Sequence, residues 1–374
     1  MNFTILAKEL KKGLTFVEKI TGKNLTLPIL NNLLIEALPN FLKISSTDLE
    51  VGIEWWGPCK TEKEGSVVVP AKFLSQLVGA LPEEKINIRN KGSNLLIEGN
   101  NIKTQVKGFS SEEFPIIPKF LKDIYIEMDG KKLRDGLISV VDMVSASQVK
   151  PEISGVYFSF NNGDIKLVAT DSFRLAEKTI KDDIKNLFER EINFILPQKT
   201  TKELINILPE EEDKKIRIYF SESQVMFETF LPNSTHSEIN LVSRQIDGEY
   251  PSYEEIIPKA SKTKIVLNKD EFVKQIKMAG LFGGKTSEVA IKVGEKNIEI
   301  KSQDDEIGES ELSMIAITEG DPAKVSFNYR FILNALINIK ASEISFEMQG
   351  NDGPALIKPI GDTSYQYVIM PIRV

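Results

Sequence analysis

Apolar positions along the chain follow two periods in turn. Leu10, Leu14 and Val17 fall on one face of a helix, and the same 0, +4, +7 spacing returns at Leu133, Leu137 and Val140 and at Phe272, Ile276 and Ala279. A second helical stripe follows each of these. Pro70, Pro197 and Asn328 share one register; from each, position +7 is Leu77, Leu204 and Ala335, position +8 is Val78, Ile205 and Leu336, and position +11 is Leu81, Leu208 and Ile339. The helical period then gives way to alternation, as at Ile86 and Ile88 or at Ile216, Ile218 and Phe220, which predicts strands. Turn residues inside alternating runs, Asn161–Asn162–Gly163 and Gly294–Asn297, predict hairpins.

The register extends beyond the helices. Asp48 in STDLE precedes Asp171 in ATDSF by 123 residues, the same interval that separates Leu10 from Leu133. EEFPIIP closes the first repeat and GEYPSYEEIIP the second. The chain is therefore read as α+β: three tandem repeats of about 120 residues, a comfortable domain size, each with two amphipathic helices packed on antiparallel sheets. The expected domains span 1–119, 124–258 and 263–374, joined by Pro/Lys-rich linkers at Pro118–Ile124 and Pro258–Lys264.

Composition narrows the chemistry. The chain has 374 residues, with 41% apolar and 27% charged positions, an ordinary globular balance. One cysteine, Cys59, forms no internal disulfide, and with one histidine, His236, it makes no His/Cys zinc site. The N-terminal stretch is interrupted by lysines and does not read as a secretory signal. The charge-free run from Asn24 to Ile35 is far shorter than the ~20 residues of a membrane span. A cytoplasmic protein without a membrane segment is the expectation. The net charge of −7 excludes a uniformly basic coat but leaves room for a local basic face.

Such a face is present in the pattern. Lys8, Lys11, Lys12 and Lys19 cluster on the side of the first helix away from its apolar stripe. Lys131 and Lys132 repeat this in the second repeat and Lys274 in the third, while Lys72, Lys199 and Arg330 open the second helices in one register. A lysine stripe is usually just a solvated face; recurrence in three repeats points to a shared role with phosphates. Other motifs carry less. AGLFGGKT, Ala279 to Thr286, resembles a phosphate loop, but helix precedes it and strand follows, the reverse of the order that cradles phosphate. Asp48, Asp171 and Asp304 recur at strand ends and read as turn caps rather than metal ligands. His236 reads as an exposed loop histidine without a serine partner. The C-terminal YQYVIMPIRV is apolar to its end and reads as a strand, by default at a sheet edge.

The whole chain resembles the bacterial sliding clamps, the β subunit of DNA polymerase III. The resemblance rests on TLPILNNLL, STDLEV, VPAKF, VATDSFRLA, the YPSY…IIP close and the terminal YVIMPIRV. It implies three DNA-clamp domains per chain and two chains joined head to tail in a six-domain ring around double-stranded DNA. The function implied is that of a processivity factor rather than an enzyme, with no cofactor or metal. Its implied partners are the replicative DNA polymerase alpha subunit, the clamp loader, and other repair and replication proteins. The DNA-facing residues implied are Lys8, Lys12, Lys23, Lys72, Gln148 and Lys199. The peptide groove implied comprises Ile153, Thr170, Ser172, Phe173, Arg174, Leu175, Pro251, Ile256, Pro354, Val368, Met370, Pro371 and Ile372. Ser172–Phe173 stands where some members have Gly-His, Glu255 where some have a basic residue, and Asn24 where some have arginine. The region around Leu281–Phe282 is the expected dimer contact. The alternative from residues alone is a three-domain carbohydrate- or phosphate-processing enzyme, which would need a carboxylate pair of raised pKa.

Overall fold

The computed structural model describes residues 1–22, 26–120, 122, 124–147, 149–161, 163–182 and 192–372. Six α-helices lie at α1 Ala7–Val17, α2 Ala71–Gly79, α3 Gly130–Val140, α4 Gln198–Ile207, α5 Lys269–Gly280 and α6 Tyr329–Ile337. They are the two helices expected of each repeat. The stripes of α1, α3 and α5 are all buried to 2% exposure or less. Each Leu, Ile, Val or Phe among them contributes roughly 1.5–3 kcal/mol by leaving water. The second helices follow the prediction less strictly. Leu204 and Leu336 are buried, whereas Leu77 and Ile205 are half-buried, because α4 also turns Thr200, Thr201 and Ile207 inward. Pro70 and Asn328 are the residues before α2 and α6, and the Asn328 side chain accepts the Arg330 N–H as a cap.

The strands form antiparallel sheets, and two of these sheets cross the expected domain boundaries. An eight-stranded sheet joins Tyr125–Asp129, Lys215–Phe220, Gln224–Phe230 and Ser237–Arg244 of the second repeat to Val51–Pro58, Phe41–Thr47, Asn32–Leu38 and Gly65–Pro70 of the first. The seam is the pairing of Ser237–Arg244 with Val51–Pro58, from Ile239 opposite Trp55 to Ser243 opposite Val51. A nine-stranded sheet joins the second and third repeats in the same way. Its seam is Arg174–Lys181 against Tyr365–Ile369, from Arg174 opposite Ile369 to Lys178 opposite Tyr365. The C-terminal strand is thus internal, flanked on its other side by Ala355–Pro359, and not an edge strand. A five-stranded sheet in the first repeat and a four-stranded sheet in the third complete the set.

Two compact units result, each organised around one seam. The first is built on Met1–Arg134 and Lys199–Gln245; the second on Asp135–Asp182, the strand Ile192–Pro197 and the chain from Ile246 onward. In the first, Trp55 is buried against α1 at Gly13, where an added Cβ would lie 2.4 Å from the indole. That close approach explains a glycine in mid-helix despite its cost of about 1 kcal/mol relative to alanine.

The predicted hairpins form. Gly155–Asn161 pairs with Asp164–Thr170, though Asn162 itself lies outside the described residues. Gly294 N–H donates to the Asn297 carbonyl. His236 differs from its expectation. It is half-buried, stacked on Phe41 at 3.9 Å between ring centroids and edge-on to Trp56, with Nδ1 2.7 Å from the Ser237 carbonyl. Packing between the first two repeats, rather than a free loop, accounts for it.

Candidate DNA-facing helices and peptide groove

One turn is built twice, at the head of each seam. In the first unit the Thr47 hydroxyl donates to the Val51 carbonyl and accepts the Leu49 N–H. Asp48 Oδ1 accepts the N–H groups of Glu50 and Val51 at 3.0 and 2.8 Å. In the second unit the Thr170 hydroxyl bonds Arg174 O and Ser172 N in the same way, and Asp171 Oδ1 accepts from Phe173 and Arg174, both at 3.0 Å. Asp304 does the same for Glu306 and Ile307. The three recurring aspartates are turn caps, and among the described residues no His/Cys/Asp/Glu cluster fits a metal ion. Leu49 and Ser172 both take positive φ, 78° and 74°, a backbone conformation that favours glycine.

The second turn opens onto an apolar site. Ile153, Leu175 and Val368 lie in one buried cluster with Tyr250, Tyr253 and Leu356, against which Tyr157 and Ile257 pack. This is the floor. The chain leaving the seam is tied down at both ends: Met370 N–H donates to Phe173 O and Ile372 N–H to Ser326 O, each at 2.8 Å. Met370, Pro371 and Ile372 are therefore held half-exposed as a wall. An adjoining open cleft of about 580 Å³ is lined by Ile256, Ile257, Pro354 and Met370, with Glu255, Lys259 and Gln349 among its polar groups. Phe173 is 63% exposed and Ile256 47%, an apolar rim in solvent. Pro251 and Ser172 are exposed beside them, and Thr170 is buried.

Arg174 is a structural member of this site. Its Nε donates to Asp171 Oδ2 at 2.9 Å and its Nη2 to the Asp142 carbonyl at 3.0 Å. Its guanidinium lies 4.5 Å from the Phe331 ring centroid. The Asn334 amide, oriented by its neighbours, accepts from Nη1 at 2.8 Å and donates to Arg330 O. Burial alone would lower the Arg174 pKa, but the neighbouring Tyr367 and Asp171 raise it, so the cation is fixed in place. Tyr250, Tyr253, Phe331 and Asn334 are not among the groove residues expected from the sequence. Tyr250 and Tyr253 were visible in the YPSY close, whereas nothing local to the α6 sequence marks Phe331 and Asn334 as partners of Arg174.

The proposed DNA-facing cations divide into two kinds. Lys8 and Lys72 are exposed and, among the described residues, pair with no carboxylate. Lys12 and Lys199 are ion-paired, to Glu238 and Asp48 respectively. Both pairs link the first repeat to the second within one unit. Lys23 and Gln148 lie outside the described residues.

The fold, with three tandem clamp domains of helix on antiparallel sheet, defines the class of DNA clamps. Comparison agrees at every third of the chain. Residues 1–118 match the N-terminal domain of the DNA polymerase III beta subunit, 127–252 the central domain and 254–373 the C-terminal domain. The chain is 29% identical to the beta sliding clamp of Bacillus subtilis, covering all of both chains, and 28% identical to that of Staphylococcus epidermidis, covering 99% of it. The solved DNA polymerase sliding clamp from Bacillus subtilis superposes with a TM-score of 0.93 at 28% identity over 100% of this chain and 99% of that one. A DNA polymerase III beta subunit from Thermotoga maritima follows at 0.91 and 26%, with the same coverage. The chain belongs to the DNA polymerase III beta subunit family, the bacterial sliding clamps.

Proposed function

We propose that two copies of this chain close head to tail into a ring that encircles duplex DNA and tethers the replicative polymerase alpha subunit through the groove at the second seam. The observation that carries the tethering role is the tied-down wall Met370–Ile372 standing over the Ile153, Leu175 and Val368 floor. Apolar anchors of a short peptide would bury there while its backbone stays in solvent. The same groove would serve the clamp loader and other replication and repair proteins in turn. The chain acts by raising local polymerase concentration and not by catalysis, needs no cofactor or metal, and works in the cytoplasm away from membranes.

Ring closure is supported by two uncovered sheet edges. Ile102–Val106 ends the five-stranded sheet and Gly308–Ile315 the four-stranded one. Unpaired edges of this kind are templates for pairing with another chain. Ile315 at the end of the second edge is 85% exposed, and Leu281, just after α5, 73%. The cations of the ring interior, Lys8, Lys12, Lys72 and Lys199 with Lys23 and Gln148, would meet phosphates and so read no sequence. The proposed domains are 1–119, 124–258 and 263–374.

Topology tests the ring. With a clamp loader and ATP, nicked circular DNA should retain the protein, whereas linear DNA with free ends should release it. Equal retention on both would contradict encirclement. The groove is tested separately by deleting Ile372–Val374 and titrating a fluorescent polymerase-tail peptide. Loss of a partly buried anchor contact of roughly 1–3 kcal/mol predicts about ten- to a hundredfold weaker binding by a dimer that is otherwise intact. Unchanged affinity would place the peptide elsewhere.

A further inference from the structure

The basic faces of the first and second repeats are not equally available. Lys8 and Lys11 of α1 correspond, 123 residues on, to Lys131 and Arg134 of α3. Lys8 and Lys11 are exposed and, among the described residues, face no carboxylate within ion-pair distance. Lys131 and Arg134 are taken. Lys131 Nζ lies 2.8 Å from Glu212 Oε1 and Arg134 Nη2 2.8 Å from Glu210 Oε1.

Both glutamates come from the loop after α4. Between matched apolar positions this loop is three residues longer than its counterpart in the first repeat, Leu208 to Ile216 against Leu81 to Ile86. Both loops begin Leu-Pro-Glu-Glu; the three added residues are Glu212, Asp213 and Lys214, so four acidic residues, Glu210–Asp213, stand where the first repeat has two, Glu83 and Glu84. The longer loop is docked against the start of α3 by backbone bonds. The buried Asp129 carboxylate accepts both the Lys132 N–H of α3, at 2.9 Å, and the Asp213 N–H of the loop, at 2.8 Å. Gly130 N–H donates to the Lys214 carbonyl at 2.9 Å. The backbone is fixed while the carboxylates remain in water, with side-chain exposures of 78% for Glu210 and 76% for Glu212.

We infer that this acidic loop is a built-in competitor for phosphate, screening the α3 cations so that the second repeat grips DNA less tightly than the first. The inference rests on the clamp reading, in which these helix faces meet DNA. Exposed ion pairs are weak, so a phosphate can exchange for a glutamate at Lys131 or Arg134. The exchange releases fewer counterions than contact with a free cation does, because each cation is already neutralised. The consequence is a weaker, less salt-dependent hold on DNA.

The test replaces Glu210 and Glu212 with glutamine in the full chain, with Glu211→Gln as a control in the same loop. Glu211 pairs with Lys214 instead of α3. Affinity for a short labelled duplex is titrated over a range of salt, and retention on nicked circles is measured in parallel. E210Q/E212Q should bind the duplex roughly three- to tenfold more tightly at low salt, with the slope of log K against log salt steeper by about one to two. E211Q should change neither by more than about twofold. Adding Lys131→Gln and Arg134→Gln should abolish the gain. A double variant indistinguishable from E211Q, with the parent still retained on circles, would overturn the screening role and leave the clamp reading intact. A parent not retained on circles would overturn both.

Discussion

The two seams start from the same turn and end differently. At the first, Asp48 spends its free oxygen on Lys199 of the neighbouring repeat. At the second, Asp171 holds Arg174 three residues ahead of it, and Arg174 in turn reaches Asp142 and Phe331. The next position is decisive. Gly52 follows Val51, and an added Cβ there would lie 3.0 Å from Ile117, so the closing segment of the first repeat lies directly on the sheet. Leu175 follows Arg174 and joins a buried apolar cluster with Tyr250 and Tyr253, against which Ile257 of the second closing segment packs. Both closing segments thus lie on their sheets, but the first meets a glycine and the second an apolar cluster, although the backbone bonds at the two turns are the same.

The comparison is broken most strongly at that position. Leu175→Ala removes a fully buried side chain and should cost about 2–4 kcal/mol of stability as well as peptide affinity. Gly52→Leu forces the reverse error, overpacking against Ile117, and should cost roughly 1–3 kcal/mol without touching peptide binding. Chemical denaturation with a peptide titration checks both. If Gly52→Leu were neutral, the linker would not be packed as described.

The capping cations should rank next. Arg174 is nearly buried and multiply bonded, so Arg174→Gln should cost about 1.5–3 kcal/mol. Lys199 is half-exposed, and Lys199→Gln should cost at most about 1 kcal/mol. Equal losses would show that the two turns are held alike.

Two sites, one in each unit, should also respond to pH. In the first, burial alone would raise the Glu228 pKa, but Lys122, Ser237 and Tyr219 hold it below the ordinary value of 4.5. Its contribution is complete above that value and is lost as pH falls through the lower folded one. In the second, burial raises Tyr250, Tyr253, Tyr365 and Tyr367 above 10.0, so their contribution is intact below that value and is lost as pH climbs through the folded ones. Amide exchange should therefore accelerate around Glu228 before the tyrosine cluster on acidification, whereas alkalinisation should act on the tyrosine cluster and also on Tyr219, whose pKa burial and Glu228 raise. The opposite order would contradict these assignments. The smallest effect concerns the positive-φ residues: Leu49→Gly and Ser172→Gly should each stabilise by up to about 1 kcal/mol, read as a shift in melting temperature.

The buried helix stripes, the three aspartate caps and the apolar C-terminal strand were legible in the sequence because each depends on short-range spacing. The seams were not. Whether Tyr365–Ile369 is an edge or an internal strand depends on pairing with Arg174–Lys181, far away in the chain. The commitment of Lys12 to Glu238 and of Lys199 to Asp48 spans 226 and 151 residues, beyond any local pattern. The proposed groove wall was an expectation from the resemblance, whereas the contacts of Arg174 with Phe331 and Asn334 on α6 could be seen only in three dimensions.

Hydrogen–deuterium exchange with and without a polymerase-tail peptide tests most directly whether the second seam alone is open. The account predicts peptide-induced protection at Phe173–Leu175 and Met370–Ile372, with none at Glu50–Gly52 or Arg244–Ile246, the matching positions of the first seam. Protection at both seams, or at the first alone, would contradict it.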